Sequence, residues 1–325
     1  MEHLVEFQDL SVQFRTEEGV ARAVTGVSFG IAEGETVGVV GESGCGKSVT
    51  ALSLMGLLPR PAGKVAGGRI LYRGRDLLGL KPEEMRGLRG NEIAMIFQEP
   101  MSALNPVLTI GEQIVEPLVE HRGLAPKAAW DEAIALLARV GIARADKIVE
   151  GYPHQLSGGM LQRVMIAIAL SCGPKLLIAD EPTTALDVTI QAQILELLGR
   201  LKREQGTALM LITHDLGMVA ELADRVVVMY AGRVVETGPV RDILLRPKHP
   251  YTRGLLASRP VPGRRQRRLP SIPGQVPSPA HLPGWCAFAD RCFAAADICR
   301  TGIPVLEPAG APHRAACFLA QQGAL

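Results

Sequence analysis

Eight residues, Gly41-Glu42-Ser43-Gly44-Cys45-Gly46-Lys47-Ser48, fit the pattern G-x-x-x-x-G-K-[ST] at every fixed position. The chemistry open to such a stretch is the capture of a polyphosphate. Its glycines let the backbone curl so that successive N–H groups point inward, and a helix starting at the end of the loop adds the positive end of its dipole. Lys47 can then reach the β- and γ-phosphates, and the Ser48 hydroxyl can ligate Mg²⁺. Far along the chain, Asp180 and Glu181 follow four apolar residues, Leu176-Leu177-Ile178-Ala179. An aspartate so placed can hold Mg²⁺ directly or through water, and the adjacent glutamate can orient and deprotonate an attacking water. His214 ends a further apolar run, Leu209–Thr213, and can sense or stabilise a γ-phosphate. A lone histidine is usually structural. This one ends a strand expected beside Asp180, at the edge where α/β sheets bind their ligands.

The elements that must position these groups follow from periodicity. Residues 4–14 alternate as a strand, a polar turn follows at Arg15–Gly19, and a second strand runs through Val24–Ile31. Phe14 closes the first strand, where its ring can stack on a base or serve as an edge-strand core residue. Thr36–Val40 is the apolar strand that feeds the phosphate loop, and Val49–Leu58 is the helix that leaves it. Pro59–Gly68, rich in proline and glycine, reads as a loop. Ile93–Phe97 is a short strand ending at Gln98. From Ile110 to Val140 the pattern is helical, with Trp130, Ile134, Leu137 and Val140 on one apolar face. Leu156-Ser157-Gly158-Gly159-Met160 opens another helix, which ends near Ser171. Asp187 is positioned to cap a helix over Val188–Lys202 whose Ile194, Leu197, Leu198 and Leu201 face inward. Arg225–Tyr230 and Arg233–Glu236 read as a hairpin. Strands alternating with helices imply an α/β core with a largely parallel sheet, into which the helical block after Gln98 is inserted.

Bulk properties narrow the function classes. The 325 residues are 47% apolar and 21% charged, an ordinary globular composition, and the net charge of +2 gives no argument for nucleic acid as the main partner. No apolar run approaches the roughly 18 residues that span a bilayer. The first residues lack the basic-then-apolar order of a secretory signal, so a cytosolic location is expected. Of six cysteines, Cys286, Cys292, Cys299 and Cys317 crowd into the last forty residues. In a cytosolic chain that clustering points to a metal or cluster site sooner than to disulfides. Four thiolates can hold a [4Fe–4S] cluster or zinc, or stay unligated, and the absence of any C-x-x-C departs from common zinc spacings. Cys45 needs no function, and Cys172 reads as a small buried residue. The basic run Arg264-Arg265-Gln266-Arg267-Arg268, in a proline-rich stretch, reads as a solvated linker.

With these motifs in place, the chain resembles the ATP-binding subunit of an ABC transporter over residues 4 to about 240. The carrier of the resemblance is Leu156-Ser157-Gly158-Gly159-Met160 with Gln162-Arg163, about twenty residues before Asp180. The resemblance implies a P-loop NTPase core with an antiparallel β subdomain and an inserted helical subdomain at about 99–171. It implies a nucleotide-binding domain over 1–245 and a Cys-rich C-terminal extension over 246–325. It assigns Phe14 to adenine stacking and Gly41, Ser43, Gly44, Cys45, Gly46, Lys47, Ser48 and Val49 to the phosphates. Ser48, Gln98 and Asp180 fall to Mg²⁺, and Glu181, His214 and Gln98 to catalysis, as the general base, the switch histidine and the Q-loop residue. Ala185-Leu186-Asp187 corresponds to the D-loop. Ser157, Gly158 and Gly159 would close on ATP bound by a partner chain, so that ATP joins two such subunits and hydrolysis releases them. Met160 stands where many members carry Gln.

Three stretches resemble the oligopeptide/dipeptide branch, which also includes nickel importers: Phe97–Pro106, Glu181–Thr189 and His249–Leu256. The branch implies a second, different ATPase chain, two permease subunits, an external solute-binding protein and a place on the cytoplasmic face of the cell membrane. A cysteine-bearing tail occurs in this branch, with a [4Fe–4S] cluster in some members. The resemblance therefore implies an ATPase that powers import of peptides, with nickel or another small solute as the alternative cargo. A non-transport ABC ATPase would be expected to carry two cassettes or a long coiled coil, and a non-catalytic regulatory subunit to lack Glu181 or His214.

Overall fold

A computed structural model describes residues 3–17, 19–184, 186–259, 270–306 and 311–325. The run Arg264–Arg268 and Ala185 lie outside the described residues. The chain divides into two compact units, one of residues 1–31, 36–78 and 213–325, the other of residues 32–35 and 79–212.

The first unit begins with β1 (Val5–Thr16) and β2 (Gly19–Ile31), which pair antiparallel, followed by β3 (Thr36–Val40), α1 (Lys47–Leu54), β4 (Gly63–Tyr72) and β5 (Arg75–Asp76). The antiparallel sheet runs β2-β1-β4-β5. Phe14 is thus on an inner strand, paired with Ala21 on one side and Gly63 on the other, and not on an edge. The stretch that reads as a loop is in part a strand: from Gly63 onward it pairs with β1. Gly68 fits there because a Cβ would lie 2.5 Å from the backbone of Asp9, whose own φ of +49° marks a bulge in β1. Tertiary pairing overrides the poor strand propensity of glycine.

The second unit continues with α2 (Pro82–Leu88), β6 (Ile93–Ile96), α3 (Pro100–Ala103), α4 (Ile110–Arg122), α5 (Pro126–Arg139), α6 (Ala145–Ile148) and α7 (Gly158–Leu170). It ends with β7 (Leu176–Asp180), α8 (Val188–Gln205) and β8 (Ala208–Thr213). Strands β6, β7 and β8 are parallel neighbours, with Ile96 opposite Ala179 and Asp180 opposite Ile212. Buried on both faces, they are continuous apolar runs, as such strands require. The Asp187 carboxylate caps α8 by accepting from Ile190 N at 3.0 Å, and Ile194, Leu197, Leu198 and Leu201 are buried. On α5 the buried face is Ala129, Ala133, Leu136 and Leu137, closed by Val140, while Trp130 and Ile134 are half-buried at its flank. Cys172 is half-buried, its thiol donating to Pro117 O.

The chain then returns to the first unit through α9 (Leu216–Leu222), β9 (Arg225–Tyr230), β10 (Arg233–Pro239), α10 (Val240–Leu245), α11 (Pro250–Ala257), β11 (Arg314–Ala315) and α12 (Phe318–Gln321). Strand β9 is parallel to β3 and antiparallel to β10, the hairpin expected from Ala231-Gly232. The fold is the mixed α/β fold of P-loop NTPases with an antiparallel sheet and a helical block. No helix among the described residues is long and apolar enough to cross a membrane.

Candidate functional site

The phosphate loop lies between β3 and α1 and is tightly built. Gly41 and Gly46 have φ of +154° and +102°. A Cβ on Gly41 would lie 2.2 Å from Met229 O, and one on Gly46 2.7 Å from Ala23 O, so glycine is required there for both conformation and space. Lys47 is only 5% exposed. Its ammonium folds back into the loop, donating to Gly41 O at 2.8 Å and Glu42 O at 3.1 Å. Ser43 and Gly44 form the exposed tip, Cys45 is buried, and Ser48 and Val49 are half-buried. Burial pushes the Cys45 thiol above its ordinary range. The first turn of α1 carries no acidic residue to offset its dipole. A glycine cradle, a buried ammonium and an undamped helix end make a fitting receptor for a polyphosphate.

Two contacts on this loop were not legible in the sequence. The carboxylate of Glu42 takes a bidentate pair from Arg291, at 2.7 and 2.9 Å, across 249 residues of chain. The Glu42 N–H donates to the hydroxyl of Tyr251 at 2.8 Å. Glu42 occupies a variable position of the motif, so no local pattern marks it or its partners.

In the second unit, Asp180 ends β7 and is 5% exposed. Glu181 follows with φ of +46°, a left-handed backbone that costs a non-glycine residue about 1–3 kcal/mol. Its N–H is held by Ile212 O at 2.8 Å. One carboxylate oxygen, Oε2, accepts from Gln98 Nε2 at 3.2 Å and from Thr184 Oγ1 at 2.9 Å. The structure therefore brings Gln98 and Glu181 together, and adds Thr184, which motif reading passes over. His214, exposed, directly follows β8. The turn beyond it is fixed by Asp215, whose N–H donates to Thr213 Oγ1 and whose carboxylate caps α9 at Gly217 N.

Ser157 is the N-cap of α7, its hydroxyl accepting from Met160 N at 3.4 Å. Ser157 and Gly158 are exposed, whereas a Cβ on Gly159 would lie 3.1 Å from Ile190 Cγ2 on α8. Close helix packing thus accounts for the second glycine. In the first unit the half-buried Phe14 ring lies against Gly63, where a Cβ would stand 2.7 Å from Cε1.

The four C-terminal cysteines are free thiols that line one small pocket together with His249, Phe288 and Phe318. Burial pushes Cys286 up to about 11 and raises Cys292 and Cys317 as well. Among the described residues, no three His, Cys, Asp or Glu side chains are grouped so as to hold a metal ion. The thiols surround a common space without converging on a ligating arrangement.

Comparison with known proteins gives the same outline. The family model described as ABC transporter matches residues 24–184, and that described as Oligopeptide/dipeptide transporter, C-terminal region, matches residues 235–299. The chain is 54% identical to a probable peptide ABC transporter ATP-binding protein of Sinorhizobium fredii, over 97% of this chain and 94% of that one. It is 50% identical to the dipeptide transport ATP-binding protein DppD of Bacillus subtilis, over 100% of this chain and 97% of that one. Among solved structures, the dimeric ATP-binding cassette MJ0796 with ADP and phosphate superposes with a TM-score of 0.66 at 29% identity, covering 73% of this chain and 99% of the other.

Proposed function

The chain belongs to the ABC transporter family, among the ATP-binding subunits of its oligopeptide/dipeptide group, and from that premise we propose that it binds and hydrolyses ATP to power peptide import. The observation that carries the nucleotide reading is the buried Lys47 ammonium folded into a glycine cradle at the start of α1. Full-length likeness to peptide and dipeptide transport subunits carries the cargo class. In this reading residues 1–245 form the nucleotide-binding domain and 246–325 the extension. Phe14 stacks on the base, Gly41, Ser43, Gly44, Cys45, Gly46, Lys47, Ser48 and Val49 hold the phosphates, and Ser48, Gln98 and Asp180 hold Mg²⁺, which supplies charge neutralisation. Glu181 accepts the proton of the attacking water, and His214 senses the γ-phosphate. Ser157, Gly158 and Gly159 complete the site of a second, different ATPase chain. Two permeases and a solute-binding protein complete the assembly at the cytoplasmic face of the membrane. Phosphate release from MgATP by the purified chain, alone and with its partner chain, tests the enzymatic core. No release in either case would remove it.

The four thiols match a sulfur-ligated group in number and kind, since they share a pocket and, among the described residues, no carboxylate lines it, although they do not converge as ligands. We assign Cys286, Cys292, Cys299 and Cys317 to a [4Fe–4S] cluster. Anaerobically purified protein is expected to carry about four iron and four acid-labile sulfide per chain, and Cys292→Ser to lose them. Stoichiometric zinc or colourless, metal-free protein would contradict the assignment and leave the ATPase reading intact.

A further inference from the structure

We propose that the C-terminal region is part of the ATP site, with Arg291 and Tyr251 acting as positioning residues that hold and neutralise Glu42 of the phosphate loop. The inference rests on the ATP reading above.

The geometry is that of a clamp on one residue. The carbonyl of Glu42 receives the Lys47 ammonium, its N–H is fixed by Tyr251, and both its carboxylate oxygens are taken by the Arg291 fork. The fork is itself immobilised. The Arg291 side chain is 5% exposed, that of Glu42 30%. Arg291 Nε donates to Pro273 O at 2.8 Å, Nη1 also donates to the Tyr230 hydroxyl at 3.3 Å, and the guanidinium lies 5.7 Å from the centre of the Tyr230 ring. Tyr251 is fully buried and packs with Tyr230 and Phe288 at ring separations of 4.7 and 5.3 Å. Tyr230 in turn ends β9, the parallel neighbour of the strand that feeds the loop. The clamp is therefore tied to the framework that carries the loop, and it reaches the loop from a region that supplies no motif residue of the nucleotide site.

A phosphate loop gains by being positive, and a glutamate in it is an electrostatic liability toward a polyanion. Pairing with Arg291 cancels that charge where solvent screens it poorly, and the planar fork fixes the carboxylate in place. Removing Arg291 exposes ATP to an uncompensated carboxylate and frees the backbone that presents a carbonyl to Lys47. Removing the carboxylate as well takes away the repulsion. A purely structural contact gives no such recovery.

The test is equilibrium binding of a fluorescent ATP analogue with Mg²⁺ to the full chain, with thermal unfolding recorded alongside. Arg291→Met is expected to weaken binding at least tenfold, and Glu42→Gln alone to change it by less than about threefold. Glu42→Gln combined with Arg291→Met is expected to recover most of the loss. Tyr251→Phe, which deletes only the acceptor for Glu42 N–H, is expected to weaken binding by about fivefold, the equivalent of one neutral hydrogen bond. The penalty of Arg291→Met should shrink as salt rises, because it is charge repulsion. If Arg291→Met does not fold, Arg291→Gln, equally uncharged but still able to donate a hydrogen bond, supplies the same comparison with and without Glu42→Gln. A double variant no better than the single one, or an Arg291 variant that binds like the wild type, overturns the inference. Failure of the wild type to bind would instead overturn the ATP reading on which it stands.

Discussion

Glu181→Gln is expected to lower ATP turnover by about 10²–10⁴-fold, the contribution of a positioned general base, while ATP binding persists. Gln98 and Thr184 both donate to Oε2 of the carboxylate. A glutamine can keep that oxygen as its amide carbonyl and so retain both of these bonds, while the basicity of the side chain goes. The left-handed backbone at Glu181 points the same way, since strain held at the end of a buried strand marks a residue kept for its position. With hydrolysis stopped, ATP is expected to accumulate a closed pair with the partner chain, which sedimentation reads as an ATP-dependent rise in mass. Turnover within a few-fold of the wild type would remove Glu181 from the role of base.

The second large effect is at Lys47. Methionine matches its length and suits its 5% exposure, so Lys47→Met is expected to leave the fold intact. What is lost is the ammonium now held by the carbonyls of Gly41 and Glu42. At about 1.5–3 kcal/mol for each hydrogen bond to a charged group, losing its phosphate contacts should weaken ATP binding by about 100-fold or more. Calorimetric titration with MgATP measures this, and an unchanged affinity would contradict the assignment of the loop.

What the sequence discloses and what it conceals divide along physical lines. The phosphate loop, the acidic pair and the cap at Ser157 were legible because each is a local device in which neighbouring residues and the strand or helix they end make one unit. The buried face of α8 was legible because four apolar residues at helical spacing, Ile194, Leu197, Leu198 and Leu201, mark one side of it. The strand from Gly63 was not, because its glycines lower strand propensity and the pairing with β1 that overrides this is a long-range fact. The position of Phe14 on an inner strand depends on that same pairing. The tail was least legible. Outside its cysteines and the His249–Leu256 stretch it offers no local pattern, yet Tyr251 within it is fully buried and Arg291 nearly so, because both contact a loop more than two hundred residues earlier in the chain. Thr184 escapes motif reading because its value lies in one hydrogen bond to Glu181.

The central claim, an ATP-driven peptide import subunit, is tested most directly by uptake of a labelled dipeptide in cells whose own copy of this chain has been deleted. Uptake is expected to fall to background, to return with the wild-type chain, and to stay at background with Glu181→Gln expressed at the same level. Uptake unaffected by the deletion, or restored equally by Glu181→Gln, would contradict the account.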